Sequence, residues 1–344
     1  MKVSELKFEF PEKLIALEPA PSSRVMWVDT HGPREINKDE LLAAFSPGDV
    51  LVINDTKVVP RRIVLADGFD LLFLRPTLDN EWEVLFLVKK LKGNVINLPG
   101  GITGELIEKG RPHLVKMSEP LTDEYFEKYG EPPLPPYLYR ARGDQKSRPE
   151  EHGWYQSDWA RAAGSVAAPT ASFHLKKSDL ETLRTNGVHV ETVTLHVGAG
   201  TFLPVTVENL DDHIMHKENV VVPHKAWERI TKAKLAGRKV WVLGTTAARA
   251  VESAAHGILG EFGIENSFGE KATFYAGETG LLIKPGFDFR ITDRLLTNFH
   301  QPESTLLALV CGFAGPKSVM GAYKWAIERE FRLFSYGDLS VWIR

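Results

Sequence analysis

The chain has 344 residues, a formal net charge of −3 and a single cysteine. Its length exceeds that of a typical single-core domain, so we expect two domains or one domain with a large insertion. The lone Cys311 excludes an internal disulfide and a multi-cysteine metal site, and it favours a reducing, cytoplasmic setting. No apolar run could cross a bilayer and the first residues lack a signal-peptide core, so we predict no membrane contact. The weakly acidic charge argues against a nucleic-acid-coating protein, although a catalyst could still contact RNA through one basic face.

The segment up to about residue 60 has α/β character, and the apolar run at residues 49–53 predicts a buried strand. From about residue 61 to residue 118, short strand-like runs follow one another without helices between them. These runs are RIVL, FDLLFLR, EWEVLFLVKK, NVINL, ITGELIE and HLVKM. Closely spaced strands separated by turn signals predict a small antiparallel β-barrel inserted into the chain.

A short helix is predicted at residues 122–129, and the proline-rich, then charged stretch at residues 130–151 predicts a loop or return linker. We therefore divide the chain into an α/β catalytic domain, formed by residues 1–60 and 150–344, and an inserted β-barrel domain with its return linker at residues 61–149.

Strands and helices alternate in the second half of the chain. Strands are predicted at residues 188–197, 239–243, 273–275, 280–283 and 339–343, and helices at residues 227–236, 246–256, 304–313 and 318–330. This alternation predicts a largely parallel sheet covered by helices.

The common nucleotide and hydrolase motifs are absent from the sequence. There is no P-loop, no complete dinucleotide fingerprint, no H-E-x-x-H and no G-x-S-x-G. Four segments rich in glycine and polar residues stand instead at the ends of predicted strands, where open α/β sheets bind ligands. They cover residues 164–174, 194–202, 244–246 and 296–305.

The first two segments each combine a histidine with small residues. Small residues around Thr170 and His174 allow a ligand to approach closely, although a tightly packed loop explains them equally well. In the second segment His196 precedes a glycine-rich loop whose N–H groups suit a carboxylate or a ribose. A wide turn is the alternative for that loop.

The other two segments adjoin predicted helices. Thr246 is a good N-cap, and the start of the helix that it would cap can bind an anion, with Arg249 one turn later. The alternative is a capped structural helix in which Arg249 forms a surface ion pair with Glu252. Asn298 and His300 precede a later helix. Histidines near strand ends, here joined by His213 and His216, favour an acid-base site because imidazole titrates near neutral pH. These two histidines are further candidates for such a site.

A basic surface for RNA is predicted on the insertion and its linker, with two tyrosines nearby, although a solvated charged face accounts for the charges equally well. Its cations are Lys89, Lys90, Lys92, Lys109, Arg111, Lys116, Arg140, Arg142, Lys146 and Arg148, and the tyrosines are Tyr137 and Tyr139.

Seven strings in a fixed order resemble the S-adenosylmethionine:tRNA ribosyltransferase-isomerase family of queuosine biosynthesis. They are NDTKVVP (54–60), GSVAAPTASFH (164–174), VTLHVGAGTFLPV (193–205), MH (215–216), GTTAAR with VESAA (244–255), LLTNFHQPESTLL (295–307) and FSYGD (334–338). The resemblance covers nearly the whole chain, with the insertion matched by position and type more than by motif.

The resemblance implies that the ribosyl part of S-adenosylmethionine moves to an aminomethyl-deazaguanine at the tRNA wobble position. S-adenosylmethionine would be a consumed co-substrate, with no prosthetic group and no metal. On this basis we expect catalytic roles for His174, His196, His216 and His300. Substrate binding is expected from Thr170, Gly198, Ala199, Gly200, Thr201, Phe202, Gly244, Thr245, Thr246, Arg249 and Asn298. The residues do not decide which histidine or carboxylate acts as acid or base.

The chain departs from the family pattern in three places. Ser172 and Phe173 stand where Gly-Leu is usual, Gln301 and Glu303 replace Leu and Lys, and Lys57 replaces Arg. The histidines are retained, so we expect the reaction to be retained, while substrate preference and RNA affinity stay open. Two alternatives remain: another S-adenosylmethionine enzyme such as a methyltransferase, and a noncatalytic RNA-binding protein. We expect a monomer.

Overall fold

The computed structural model describes residues 1–77, 80–91, 93–144, 146–198, 200, 205–265 and 271–344. The strands of the first half are β1 Val25–Asp29, β2 Gly32–Ile36, β3 Val50–Asn54, β4 Thr56–Val58, β5 Arg62–Val64, β6 Asp70–Pro76, β7 Glu81–Leu85, β8 Val95–Asn97, β9 Thr103–Glu108 and β10 His113–Met117. Those of the second half are β11 Ala162–Ser165, β12 His189–Leu195, β13 Glu218–Pro223, β14 Val240–Leu243, β15 Gly260–Glu265, β16 Lys271–Thr279, β17 Arg294–Asn298 and β18 Leu339–Ile343.

The described α-helices are α1 Lys38–Ala43, α2 Asp123–Tyr129, α3 Pro136–Arg142, α4 Glu151–Trp154, α5 Lys177–Thr185, α6 His224–Leu235, α7 Thr245–Ala255, α8 Thr305–Ala314 and α9 Pro316–Glu328. In this part of the chain no single helix is long and apolar enough to span a membrane. Only the pair α8 and α9, bent by 112°, passes such a test by length and composition.

A ten-stranded mixed sheet forms the main body, in the order β15-β16-β13-β12-β3-β14-β17-β18-β1-β2. The prediction of an α/β fold is confirmed, but "largely parallel" is too strong. Four neighbouring pairs are parallel, three of them joining β12, β3, β14 and β17 at the centre. The remaining five pairs are antiparallel: β13, β16 and β15 extend the sheet beyond β12, β18 lies antiparallel to β17, and β2 lies antiparallel to β1.

The central strands are buried on both faces, which is why they read as continuous apolar runs. In β14, Val240 and Val242 face a core that includes residues of α6 to α9, and Trp241 and Leu243 face a second core with α1 and α5. All four side chains are fully buried. Because side chains alternate along a strand, each short apolar run contributes to both cores.

Strands β5 to β10 form a separate antiparallel sheet, in the order β5-β6-β7-β10-β9-β8. All six predicted strands are therefore confirmed. Its own core includes Phe73, Trp82 and Phe126 of α2, with ring centroids 5.3 to 5.8 Å apart. Among the described residues β5 and β8 do not pair with each other, so the predicted small antiparallel β-barrel is confirmed in part, as a half-barrel sheet. The predicted limits of the insertion, residues 61–149, stay a prediction.

Two predicted segments differ from the structure. Residues 130–151, predicted as a loop, contain α3 and the first residue of α4. Pro136 at the first position of α3 favours a helix start there. Residues 280–283, predicted as a strand, are irregular, and the preceding strand β16 instead extends to Thr279.

Candidate active site

A cavity of about 500 Å³ opens beside the carboxyl ends of β12, β14 and β17. The parallel arrangement of these strands brings their ends to one edge of the sheet, where ligands of open α/β sheets collect. Nine of the predicted site residues contribute to its wall: Thr170, Gly200, His216, Gly244, Thr245, Thr246, Arg249, Asn298 and His300. All four polar segments, which are far apart in sequence, therefore contribute to one cavity.

The start of α7 forms one wall of the cavity. Gly244 has a φ of 91°, a conformation that favours glycine, and this turn directs the chain from β14 into the helix. Thr246 was predicted as the N-cap, but it is the second helical residue, and no side chain caps the first turn. Its hydroxyl instead accepts a hydrogen bond from Asn54 Nδ2 at 3.1 Å. The first N–H groups of a helix lack partners within it, so this end can accept an anion.

Arg249 and Glu218 form an ion pair in the cavity wall. They are only 5% and 6% exposed, so both charges are held out of water. Glu218 also accepts the N–H of Gly198 at 3.0 Å, and Arg249 Nε donates to the Leu281 oxygen at 3.1 Å. The alternative of a surface ion pair between Arg249 and Glu252 is wrong, because Glu252 is fully buried and accepts hydrogen bonds from residues 290–292.

His300 lies in the wall just after β17. Its Nε2 shares a hydrogen bond of 2.9 Å with Thr297 Oγ1, and its main-chain N–H donates to Tyr323 Oη at 2.9 Å. Burial lowers the pKa of this imidazole to about 3. His300 is therefore neutral at physiological pH and offers a hydrogen bond rather than a positive charge.

Asn298 is held in the same wall by several partners. Its Oδ1 accepts a hydrogen bond from Thr170 Oγ1 at 2.9 Å, and its Nδ2 donates to the Phe334 oxygen and to His174 Nε2, both at 3.0 Å. His174 lies behind this amide, outside the cavity wall, and its Nδ1 pairs with Ser23 Oγ at 2.7 Å. Burial lowers the pKa of His174 to about 4.

His196 and Gly198 lie beside the cavity rather than in its wall. His196 Nδ1 pairs with Thr56 Oγ1 at 2.8 Å, and its ring packs on Gly164, where a Cβ atom would come within 3.0 Å of it. Burial lowers the pKa of His196, and Arg61 adds to this effect while Asp55 opposes it. Gly198 contributes through its N–H to Glu218.

The mouth of the cavity contains the more accessible imidazoles. His213 is half-buried and His216 is exposed, and both contribute to the wall. Partial burial lowers the pKa of His213, with a further contribution from nearby His216. Three predicted binding residues of the adjoining loop, Ala199, Thr201 and Phe202, lie outside the described residues.

The structure buries some residues of the predicted RNA surface and leaves another exposed at the cavity. Tyr137 and Tyr139 are buried and are therefore not free to stack on bases. The Tyr137 hydroxyl is bonded to Ser335, and that of Tyr139 to Arg62. Arg142 is buried against Glu151. Arg140 is exposed at the cavity wall, and its side chain has no hydrogen-bond or ion-pair partner among the described residues.

Glu218 is the main cavity residue that the sequence reasoning missed. The alternation of β13 could have identified it, because Glu218, Val220 and Val222 share one buried face of that strand. An acid that alternates with two valines is predicted to be buried, and a buried acid needs a donor or a cation. That requirement points to a partner such as Arg249. Among the described residues no cluster of histidine, cysteine or acidic side chains could hold a metal ion.

Comparison with known proteins identifies the family of the chain. The chain is 38% identical to an S-adenosylmethionine:tRNA ribosyltransferase-isomerase of Syntrophotalea carbinolica and 39% identical to one of Halothermothrix orenii, with 98% of each chain covered. A crystal structure of S-adenosylmethionine tRNA ribosyltransferase from Thermotoga maritima, 26% identical, superposes with a TM-score of 0.54 over 99% of this chain and 100% of that one. The family model for queuosine biosynthesis proteins matches residues 3–342. The chain therefore belongs to the queuosine biosynthesis protein family.

Proposed function

We propose that this chain is an S-adenosylmethionine:tRNA ribosyltransferase-isomerase. It transfers the ribosyl moiety of S-adenosylmethionine to 7-aminomethyl-7-deazaguanine at the tRNA wobble position and rearranges it to give epoxyqueuosine. Adenine and methionine leave as the other products. The observation that carries this proposal is one cavity of small-molecule size in which imidazoles, an uncapped helix start and an arginine meet, in a chain with full-length relatives of that name.

The reaction needs groups that move protons. The positive sulfonium acidifies the neighbouring C5′ hydrogens, adenine departs more readily when protonated, and the aminomethyl nitrogen attacks only when uncharged. His216, with His213 beside it, is the proposed proton carrier, because these imidazoles lie where solvent reaches the cavity. His300 is neutral and is proposed to hydrogen-bond the substrate.

The remaining predicted residues divide into binding and positioning roles. The proposed S-adenosylmethionine contacts are Thr170, Gly198 to Phe202, Gly244 to Thr246 and Arg249. Asn298 already uses its amide on protein partners, so it and His174 are proposed to hold the wall in place. His196, which lies between Thr56 and Gly164, is proposed to support the same loop.

We propose that the tRNA approaches from the side of α3. Arg140 supports this, because it is an exposed cation at the cavity with no protein partner among the described residues. Phosphate contacts by such cations position nucleic acid without reading its sequence. S-adenosylmethionine is consumed rather than retained as a cofactor, and we propose a cytoplasmic monomer.

The test is a product assay with S-adenosylmethionine and tRNA that contains the aminomethyl-deazaguanine base. Mass spectrometry of the small molecules and of the digested tRNA is expected to detect adenine, methionine and epoxyqueuosine. S-adenosylhomocysteine and a methylated nucleoside would instead identify a methyltransferase. Binding of tRNA without any turnover of S-adenosylmethionine would favour a noncatalytic RNA-binding protein.

A further inference from the structure

The ion pair in the cavity wall leaves part of Arg249 unused. Its Nη1 contacts Glu218 and its Nε donates to Leu281, but Nη2 is buried and has no hydrogen-bond partner among the described residues. Glu218 is also committed elsewhere, because its second oxygen accepts the N–H of Gly198. Both carboxylate oxygens of the pair therefore have a partner, whereas one nitrogen of the guanidinium has none among the described residues.

A buried N–H group without an acceptor is costly, and folded proteins rarely retain one without a reason. Arg249 is only 5% exposed, so bulk water does not readily supply the acceptor. Because Arg249 contributes to the cavity wall, a ligand in the cavity is well placed to supply it. A guanidinium matches best a planar group with two negatively charged oxygens.

A second, independent feature of the same wall favours the same ligand group. Thr245 and Thr246 begin α7, an 11-residue helix with no side-chain cap, and both border the cavity. The helix dipole and the free N–H groups of this turn attract negative charge. Arg249 lies four residues after Thr245 and therefore about one turn further along the helix. Two sets of donors from one helix thus adjoin the same part of the cavity.

We propose that this corner binds the carboxylate of the methionine part of S-adenosylmethionine, between Arg249 Nη2 and the first turn of α7. The proposal rests on the proposed function, which supplies the ligand. The carboxylate is the only anionic group of that molecule, while its sulfonium is cationic and is repelled by the same donors. The corner therefore orients the molecule, with its sulfonium directed away from Arg249. A tRNA phosphate would have to carry its backbone to a buried wall, whereas a terminal carboxylate reaches it unhindered.

The experiment compares S-adenosylmethionine with its decarboxylated form, which keeps the sulfonium, the ribose and the adenine. Calorimetric titration of the wild-type protein is expected to give a dissociation constant roughly 10- to 100-fold higher for the decarboxylated form, the range of a hydrogen bond to a charged group. Equal affinity for the two compounds would overturn the proposal. This comparison needs no variant.

A double variant tests the role of Arg249 itself. Arg249→Met combined with Glu218→Gln removes both charges together and leaves neither one buried without a partner. It is expected to lose the preference for the carboxylate, so that both compounds bind with similar, weakened affinity. A full preference retained in the folded double variant would contradict the assignment. The matched control is Arg229→Met with Glu191→Gln, an ion pair outside the cavity wall, and its preference should equal that of the wild type.

The product assay separates this proposal from the proposed function. If wild-type protein releases adenine and methionine but binds both compounds equally, the proposed function is supported and the carboxylate site is contradicted. If it discriminates between the compounds in the titration but releases no adenine, the carboxylate site is supported and the proposed function is contradicted.

Discussion

Asn298 Nδ2 donates a hydrogen bond of 3.0 Å to His174 Nε2, so a cavity-lining amide stands between the cavity and a histidine outside its wall. The other ring nitrogen of His174 pairs with Ser23. With Nε2 as acceptor, Nδ1 carries the proton and donates to that hydroxyl, so both ring nitrogens are occupied. This arrangement fits a residue that positions the wall and not one that exchanges protons with a substrate.

His174→Ala is therefore expected to act mainly on stability. It leaves a cavity and removes two hydrogen bonds from buried partners, which should lower the free energy of unfolding by about 2 to 3 kcal/mol. The turnover number of the folded variant should fall by less than roughly tenfold, far below the effect of losing a general acid or base. Urea unfolding and the product assay measure the two effects. A larger loss of turnover with unchanged stability would restore His174 as a catalytic residue.

His216→Ala should show the opposite pattern. His216 is exposed at the cavity, so its removal is expected to change the free energy of unfolding by no more than about 0.5 kcal/mol. If it carries a proton in the reaction, turnover should fall by roughly 100- to 10,000-fold. Lys232→Ala, an exposed change on α6 outside the cavity wall, serves as the control. Turnover of the His216 variant equal to that of this control would exclude the role.

The buried histidines predict a loss of stability in mild acid. The pKa of His174 is lowered to about 4 and that of His300 to about 3, both below the value of about 6.5 for an unfolded chain. Below pH 6.5 the unfolded chain binds protons that the folded protein does not, so stability falls until the folded pKa values are reached. Between pH 7.5 and pH 5 each histidine should cost about 2 kcal/mol.

Urea unfolding at pH 7.5 and pH 5 checks this, because few carboxylates titrate over that range. His174→Gln should remove about 2 kcal/mol of the expected loss. A free energy of unfolding that is the same at both pH values would contradict the burial of these two groups as neutral imidazoles.

The exposed Arg140 at the cavity predicts a specific effect on tRNA binding. Arg140→Gln should raise the KM for tRNA and reduce the slope of log affinity against log salt by about one unit, as expected for one lost phosphate contact. The KM for S-adenosylmethionine should not change. Lys146→Gln is the matched control, because Lys146 is an exposed cation of the same segment outside the cavity wall. Equal effects of the two substitutions would indicate a general charge effect rather than a contact at the cavity.

Local patterns predicted much of the fold. Strand β18 coincides with its prediction, and the strands of the half-barrel, β3, β14 and helices α6 to α9 deviate by a few residues at most. Short apolar runs and helical periodicity carry this information locally. The direction of β18 against β17 does not follow from such runs, because strand direction depends on the chain path between them. The same reason explains why the sequence predicted a largely parallel sheet, whereas five of the nine neighbouring pairs are antiparallel.

The sequence predicted which segments form the site, but not the contacts between their side chains. Sequence placed Thr170, Arg249 and His300 in ligand-binding segments, and the structure brings all three to one cavity. It could not place His174 behind Asn298, because that contact joins residues 124 positions apart. Nor could it identify Glu218 as the partner of Arg249. Glu252, only three residues after Arg249, is the nearer candidate in sequence, but its carboxylate accepts hydrogen bonds from another loop.

The last prediction concerns Glu252, which holds α7 in place, the helix whose first turn borders the cavity. This fully buried carboxylate on α7 accepts the N–H groups of Arg290 and Thr292 at 2.9 and 2.8 Å and the Thr292 hydroxyl at 2.8 Å. Glu252→Ala leaves those donors without an acceptor and should lower the free energy of unfolding by about 3 to 5 kcal/mol. Glu252→Gln keeps one oxygen acceptor and should cost less. Urea unfolding of both variants measures the difference. Equal losses would contradict this expectation, because they would show that the remaining acceptor oxygen and the similar volume of Gln do not compensate for the lost carboxylate.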